Sequence, residues 1–448
     1  MRSKPPNRTV SVALVSLGCA KNLVDSERML ALLAEGGCTV GAPVEEADAI
    51  VVNTCGFLAA AREESLGVIR EALAHKRKKG VRVVVAGCLA TRDGKKLFRE
   101  APGIDAVLGV HERQHILAAV TGKTPFARAS VSAVPARAVS DAGRFRLTPR
   151  HTAYLRISEG CSQRCTFCTI PMIRGPLRSK PPEMVLTEAR ELVADGATEL
   201  NVIAQDTTSY GRDLRDEPSR GPRLASLLKS LDKLDGVRWI RLLYTYPRRF
   251  TDELIETLAA GERVVKYVDL PLQHISDGVL RRMGRGVSRK TIETLLGKLR
   301  RIKGLAIRTT FIVGFPGETQ REFEELLDLV REFRFDAMGA FEFSREEGSV
   351  AASFPGQIPD EVKAERARQI MLAQQEIAFA ANARRVGKCV EILVDGRAAK
   401  GRCVGRAYFQ APDTDSVCLL TRCRQAGSYI RGVVKDYRDY DLVVEPTA

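Results

Sequence analysis

Three cysteines in the middle of the chain, in Ser158-Glu-Gly-Cys161-Ser-Gln-Arg-Cys165-Thr-Phe-Cys168, are spaced for metal chemistry. Cys165 and Cys168 alone form a C-x-x-C pair, which suits a zinc site or a redox dithiol equally well. Cys161, four positions earlier, changes the reading. Three thiolates on one short loop can each take one iron of a [4Fe–4S] cube and leave the fourth iron without a protein ligand. A zinc knuckle needs a fourth ligand nearby, and the closest histidine, His151, lies at the far end of the preceding strand. The spacing favours the cube.

Cys19, Cys55 and Cys88 are far apart in sequence, yet each ends a β-branched run: Val-Ser-Leu-Gly-Cys19, Val-Asn-Thr-Cys55 and Val-Ala-Gly-Cys88. In a parallel sheet such ends share one edge, so three thiolates can converge there as a second ligand set. Gly18 and Gly87 would let the backbone approach a cluster. A lone strand-end cysteine is usually a small buried hydrophobe; three in register are a different matter. Cys38, Cys389, Cys403, Cys418 and Cys423 lack this arrangement and read as structural or free thiols.

Further candidates sit at other strand ends. Phe311-Ile-Val-Gly314-Phe-Pro316-Gly317-Glu318-Thr319 closes a strand and opens a helix, with Thr319 and Glu322 as a capping box. The helix start would aim free N–H groups at the sheet mouth, suited to a carboxylate or ribose oxygen. Gln205 and Asp206 come after another strand, where they either reach a ligand or cap the next turn. His274, in Leu270-Pro-Leu-Gln-His274, reads first as a satisfied structural histidine. Phe167 inside the cysteine loop, with Gln205, Asp206, Gly314 and Glu318, completes the set of candidate cofactor-binding residues. The run His75-Lys-Arg-Lys-Lys79 reads as a solvated helix end.

These residues need a scaffold of strand ends. Over the first ~120 residues strand and helix alternate: Val10–Leu17, Asp48–Asn53, Val81–Ala86 and Asp105–Gly109 as strands, with helices over Val24–Ala34, Leu58–Lys78 and Arg92–Arg99. That order predicts an open, parallel, doubly wound α/β sheet. Thr121–Arg150 is rich in Ala, Ser, Pro and Arg and reads as a linker. A second series follows, with strands Thr152–Ile157, Glu199–Ala204, Val237–Leu243, Lys266–Leu270, Ile307–Val313 and Ala337–Phe343. Six units are too few for an eight-stranded barrel, so a partial (βα)6 barrel is expected. After a helix over Asp360–Arg385, five short strands between Cys389 and Val444 predict a small β-barrel. The expected domains are 8–122, a linker at 123–146, 147–380 and 383–448.

Composition sets the limits. The chain has 448 residues, 44% of them hydrophobic, and no apolar run reaches the ~18 residues of a membrane span. Eleven cysteines in a chain of this size point to metal or redox chemistry rather than a disulfide framework. Met1–Ala20 loosely imitates a lipoprotein signal, but Ser11 and Ser16 break its apolar core, and it reads better as a first strand. A net charge of +15 suits an anionic partner such as RNA or a ribosome.

Across nearly its whole length the sequence resembles the radical SAM methylthiotransferases. The matching stretches are Leu17-Gly-Cys-Ala-Lys-Asn-Leu-Val-Asp-Ser26, Asn53-Thr-Cys-Gly-Phe57, Arg241-Leu-Leu-Tyr-Thr-Tyr-Pro247, Pro271-Leu-Gln-His274, Arg308-Thr-Thr-Phe-Ile-Val-Gly-Phe-Pro-Gly-Glu318 and Ala411-Pro-Asp-Thr-Asp415. Within that group it is more similar to the branch acting on ribosomal protein S-twelve than to the branch acting on tRNA. The resemblance implies an N-terminal three-cysteine domain, a radical SAM core and a C-terminal TRAM domain. It implies two [4Fe–4S] clusters, on Cys161/Cys165/Cys168 and Cys19/Cys55/Cys88, and S-adenosylmethionine (SAM) chelated at the open iron of the first.

The implied reaction adds a methylthio group to the β-carbon of an aspartate, where an unactivated C–H bond leaves side-chain acid–base chemistry nothing to work on. The implied partners are ribosomal protein S-twelve, free or on the small subunit, a reductant such as flavodoxin or ferredoxin, and rRNA. The expected location is cytoplasmic, with no membrane partner. From Gly387 onward ten basic residues face eight acidic ones, a near-neutral balance for a domain expected to grip a basic protein. Three other readings use the same residues: a tRNA (adenosine) methylthiotransferase, a non-enzymatic iron–sulfur electron carrier, and a zinc-dependent RNA-binding protein.

Overall fold

The computed structural model describes residues 9–122, 129–130, 138–214, 223–398 and 401–447. The chain divides into two compact units. The first is Met1–Leu147 with Glu159–Ser162 and Cys168–Lys180, and the second is Thr148–Ser158, Gln163–Phe167 and Pro181–Ala448.

In the first unit, strands β1 (Ser11–Ser16), β2 (Thr39–Val40), β3 (Ala49–Thr54), β4 (Arg82–Gly87), β5 (Ala106–Leu108) and β6 (Ala129–Ser130) form one parallel sheet in the order β2-β1-β3-β4-β5-β6. Near-continuous apolar runs suit strands covered on both faces. Ile50, Val52, Val83 and Val85 pack on Leu66, Ile69 and Leu73 of helix Ala59–Lys79. The alternate residues Val12, Val51 and Val84 pack with Met29 and Leu33 of helix Ala20–Glu35. Ser16 pairs with Asn53 and Asn53 with Ala86, so the strand ends before the three cysteines lie level. Two strands escaped the sequence reading: β2 and β6 are two residues each, too short to show alternation. β6 lies inside the stretch read as linker, whose residues 123–128 and 131–137 fall outside the described ones. Its end is tied down, because the N–H of Phe145 donates to the Glu27 carbonyl and that of Leu147 to the Glu27 carboxylate. The single helix expected over Arg92–Arg99 is instead a helix at Cys88–Asp93 and two short turns, Gly94–Lys96 and Leu97–Glu100.

The second unit opens on β7 (Thr152–Arg156). Two short strands, β8 (Ser158–Glu159) and β9 (Arg178–Ser179), bracket the central cysteine loop in sequence. Strands β10 (Glu199–Ile203), β11 (Trp239–Leu242), β12 (Val264–Asp269), β13 (Ala306–Val313) and β14 (Ala337–Glu342) join β7 in a parallel six-stranded sheet, ordered β14-β13-β12-β11-β10-β7. The sheet does not close, as six units predict. One face is apolar: Leu200, Val202, Ile240, Leu242, Val268 and Ile307 belong to a core shared with the covering helices. The other face carries Glu199, Asn201, Arg241, Tyr267, Asp269 and Arg308, all on alternate positions of the same strands.

Strands β15 (Cys389–Arg397), β16 (Cys403–Ala407), β17 (Cys418–Leu420), β18 (Tyr429–Arg438) and β19 (Asp441–Pro446) close into the expected five-stranded barrel, ordered β15-β16-β17-β19-β18. Cys403 and Cys423, read as structural or free thiols, are joined by a disulfide. The barrel is bonded to the polar face of the open sheet. Arg406 donates to both oxygens of Glu199, which also accepts from Arg241. Tyr154 donates to Asp413, and Tyr267 and Arg308 donate to Asp415. No helix among the described residues is long and apolar enough to cross a membrane.

Candidate cluster and cofactor sites

Cys19 is the N-cap of helix Ala20–Glu35, Cys55 comes directly after β3 and Cys88 starts a short helix straight after β4. Gly18 has φ +88°, and a Cβ there would lie 2.9 Å from Cys55 Cβ and 3.2 Å from its sulfur. Gly87 has φ +97°, and a Cβ there would meet Asn53 Oδ1 at 2.3 Å. Both positions therefore require glycine, for conformation and for space. A buried amide ties the three strand ends together: Asn22 Nδ2 donates to the carbonyls of Leu17 (2.9 Å) and Thr54 (2.8 Å), and its Oδ1 accepts from the Cys88 thiol (3.4 Å). Asn53 Nδ2 donates back to the Asn22 carbonyl and to Ser26 Oγ, 2.8 Å each. Ser65 Oγ both accepts from the Cys55 N–H and donates to the Cys55 carbonyl.

A cation reaches this edge from sequence far downstream. Arg174, 1% exposed, donates from one guanidinium nitrogen to Asn22 Oδ1 (2.7 Å), Asp25 (3.0 Å) and the sulfur of Cys88 (3.3 Å). Its other terminal nitrogen holds both oxygens of Glu159. The carboxylates of Asp25 and Glu159 compensate a charge that burial would otherwise make very costly. Burial pushes the Cys88 thiol up to about 12 although Arg174 opposes it, and burial likewise raises Cys55. At Cys19 desolvation is outweighed: Lys21, Arg174 and the N–H groups of Asn22 and Lys21 bring the thiol below its ordinary value. The donor set suits an anionic group coordinated by all three sulfurs, with Arg174 as its counter-charge.

Cys161, Cys165 and Cys168 are half-buried on their loop. The loop is anchored piecewise. The Cys161 N–H donates to the Gly175 carbonyl (3.0 Å) and Ser162 Oγ accepts from the Leu177 N–H. Gln163 Nε2 donates to Asp206 (2.8 Å), while Thr166 donates through its N–H to the Met283 carbonyl and through its hydroxyl to the Arg282 carbonyl. Arg285 lies 3.5 Å from the Cys165 sulfur, stacks 4.1 Å over the Tyr246 ring and donates to the Pro271 carbonyl. Among the described residues no three Cys, His, Asp or Glu side chains close round a single metal ion. Ligands of separate irons in a cube are spread apart by the cluster.

The candidate cofactor residues divide. Asp206 is buried and its carboxylate accepts from Thr208, from the N–H and hydroxyl of Ser209, and from Gln163. It caps the turn after β10 and steadies the cysteine loop. Glu318, also buried, accepts from the N–H groups of Gly314 and Phe315, from His274 Nε2 (3.3 Å) and from Arg366. His274 Nδ1 accepts from the Ser276 N–H, so Nε2 carries the proton given to Glu318. Gly314 has φ +69°, and a Cβ there would strike Lys363 at 2.3 Å. Phe167 packs with Val279, Met283, Phe315 and Phe343. Gln205 lies two residues beyond β10 and is half-buried. Thr319 and Glu322 form the expected capping box on helix Gln320–Phe333.

Sequence reasoning missed the groups that the structure leaves ready for a ligand. Asn201, fully buried on the polar face of β10, has both side-chain amide atoms without a partner. Ser158 Oγ and Gln273 Oε1 are likewise buried and unsatisfied, and Gln273 (φ +73°), like Tyr244 (φ +57°), is a left-handed non-glycine residue at a carboxyl strand end. Strain and orphaned polar groups of this kind collect at binding sites. Polar donors and acceptors without partners fit a polar ligand such as SAM.

The comparisons agree on what surrounds these groups. The signature of uncharacterized protein family UPF0004 matches residues 11–109, that of the radical SAM superfamily residues 155–330 and that of the TRAM domain residues 386–446. The ribosomal protein uS12 methylthiotransferase RimO of Thermoanaerobacter sp. (strain X514) is 42% identical over 97% of this chain and 99% of its own length. Its counterpart from Symbiobacterium thermophilum is 45% identical over 98% and 92%. Among solved structures, the radical SAM methyltransferase TsrM from Kitasatospora setae, with cobalamin and a [4Fe-4S] cluster bound, has a TM-score of 0.53 at 15% identity over 81% of this chain and 85% of that one, a likeness of fold. With identity of this degree along nearly the whole chain, the protein belongs to the RimO family of radical SAM methylthiotransferases.

Proposed function

We propose that the protein adds a methylthio group to the β-carbon of one aspartate of ribosomal protein uS12, free or on the small subunit, in the cytoplasm. Cys161, Cys165 and Cys168 hold one [4Fe–4S] cluster and Cys19, Cys55 and Cys88 hold another, with SAM at the open iron of the first. The observation that carries the reading is the level alignment of three strand ends at Cys19, Cys55 and Cys88, with Arg174 touching one sulfur. When bound, the clusters and SAM supply the electron, the hydrogen-abstracting radical and the sulfur and methyl groups that no side chain provides.

The chain's own residues bind and orient. Arg174 offsets thiolate charge at Cys88, and Arg285 does so at Cys165. Gln163, held by Asp206, fixes the loop between Cys161 and Cys165. Asn201 and Ser158 offer hydrogen bonds to SAM or to the substrate carboxylate, gaining partners they otherwise lack. The reductant is a low-potential protein of the flavodoxin or ferredoxin kind.

The test incubates anaerobically reconstituted protein with SAM, reductant and sulfide, offering uS12 and tRNA in parallel. A mass gain of one methylthio group on the uS12 aspartate is expected. Modification of tRNA adenosine instead would transfer the reading to the tRNA branch, and a protein that holds iron but modifies neither would return it to electron carriage.

A further inference from the structure

A cleft of about 170 Å³ opens beyond the carboxyl ends of β10 and β11, lined by Thr208, Arg212, Arg223, Arg248, Arg249 and Thr251 among others. No cysteine and none of the candidate cofactor residues lines it. Two helix starts meet there: Leu224–Leu231 begins beside Arg223, and Asp252–Ala260 begins at Thr251, whose hydroxyl caps the Leu254 N–H. Helix starts and guanidinium groups both favour an anion.

Three of these arginines are not consumed by local acids. Among the described residues Arg212, Arg248 and Arg249 form no ion pair with a carboxylate, and Arg249 Nε is buried without a hydrogen-bond partner. Burial, Arg212 and Arg248 work against the charge on Arg249 and outweigh the pull of Asp206 and Tyr246. Of the acids nearby, Asp206 already accepts hydrogen bonds from Thr208, Ser209 and Gln163, and Asp213 and Glu183 lie toward Tyr210. Asp252 and Glu253 stand in the first turn of their helix, with Asp252 bonded to Lys298 and Glu253 to Lys229.

We infer that this cleft binds a phosphate group, and that its source is the RNA backbone of the small ribosomal subunit beside the substrate protein. This rests on the proposed action on uS12. Arg212, Arg248 and Arg249 would repel a basic protein substrate, whereas phosphodiesters surround such a protein in the ribosome. The last domain, with ten basic and eight acidic residues, holds only two of the fifteen excess positive charges, so attraction to RNA must come largely from elsewhere in the chain.

Three measurements on the reconstituted holoprotein test this. Inorganic phosphate titrated by calorimetry should bind the wild type and not the Arg212→Glu/Arg248→Glu variant. Affinity for small subunits should fall at least tenfold in that variant, and the salt dependence of log K should flatten by about two, near one for each phosphate no longer neutralised. Arg212→Lys/Arg248→Lys should recover part of both, and thermal unfolding of each variant reports whether it is folded. Methylthiolation of free uS12 should continue. Unchanged subunit affinity and salt slope in a folded Glu variant would overturn the inference, as would a defect confined to reduction by an acidic redox protein, which would assign the cleft to protein carboxylates. Failure of the wild type to modify free uS12 or subunits would instead remove the functional reading, leaving phosphate binding to be judged by its own titration.

Discussion

Arg174 is the residue in which sequence separation and chemistry diverge most. It stands 86 positions from Cys88 and 149 from Asp25, yet it is bonded to both. No periodicity or motif joins residues so far apart, so it escaped the sequence, while the cysteines, defined by local spacing and by strand ends, did not. Arg174→Gln should destabilise the first unit by about 1.5–3 kcal/mol, because Glu159 and Asp25 lose charged hydrogen bonds while Asp25 keeps Arg113. Urea unfolding measures that cost. If Arg174 also supports a cluster on the first trio, iron per chain should drop from about eight toward four. Retention of full iron in a folded Arg174→Gln protein would confine the residue to structure. Gly87→Ala, which places a Cβ against Asn53 and Thr54 at φ +97°, should lose the same four irons while the second unit unfolds as before. Asp206 and Glu318 were legible as strand-end acids, but a sequence cannot say that a carboxylate is already saturated by its own turn, as these two are.

Among the elements, the strands were read well: in the first unit near-continuous apolar runs marked β1, β3 and β4, and all six strands of the open sheet lie within about two residues of where they were expected. The two-residue strands β2 and β6 carry too few side chains to announce themselves, and β6 pairs only at Val107 and Leu108. Capping was also legible, since it depends on residues three apart. Thr319 accepts from the Glu322 N–H, and Glu322 accepts from that of Thr319. Thr319→Ala should cost about 1 kcal/mol in the second unit, seen as a lower urea midpoint with unchanged slope. Desolvation would raise Glu322, but the Thr319 N–H and Arg282 together outweigh it and hold the carboxyl below its ordinary value.

At the level of the whole molecule, the five-stranded barrel was foreseen but its attachment was not. Glu199 is fully buried; desolvation would raise it, but Arg406 and Arg241 bring it from 4.5 down to about 2. A depressed carboxylate stabilises the fold above its unfolded value and ceases to do so as pH falls through the folded one. Some 3 kcal/mol of stability, at ~1.4 per pH unit, should therefore vanish between pH 4.5 and about 2. Stability measured against pH should show this step in the wild type and not in Glu199→Gln, which should be weaker above the step and converge with the wild type below it. Calorimetry should find the barrel and the open sheet melting in one transition, and Arg406→Ala should split it in two. A single transition in Arg406→Ala would mean that Asp413 and Asp415 suffice. The placement of Cys168–Lys180 within the first unit also has a consequence for biosynthesis. At ~5–20 residues per second, the amino-terminal sheet leaves the ribosome seconds before Arg174; until then Asp25 has only Arg113 as its cation, and the Cys88 sulfur is without the guanidinium that donates to it in the finished fold.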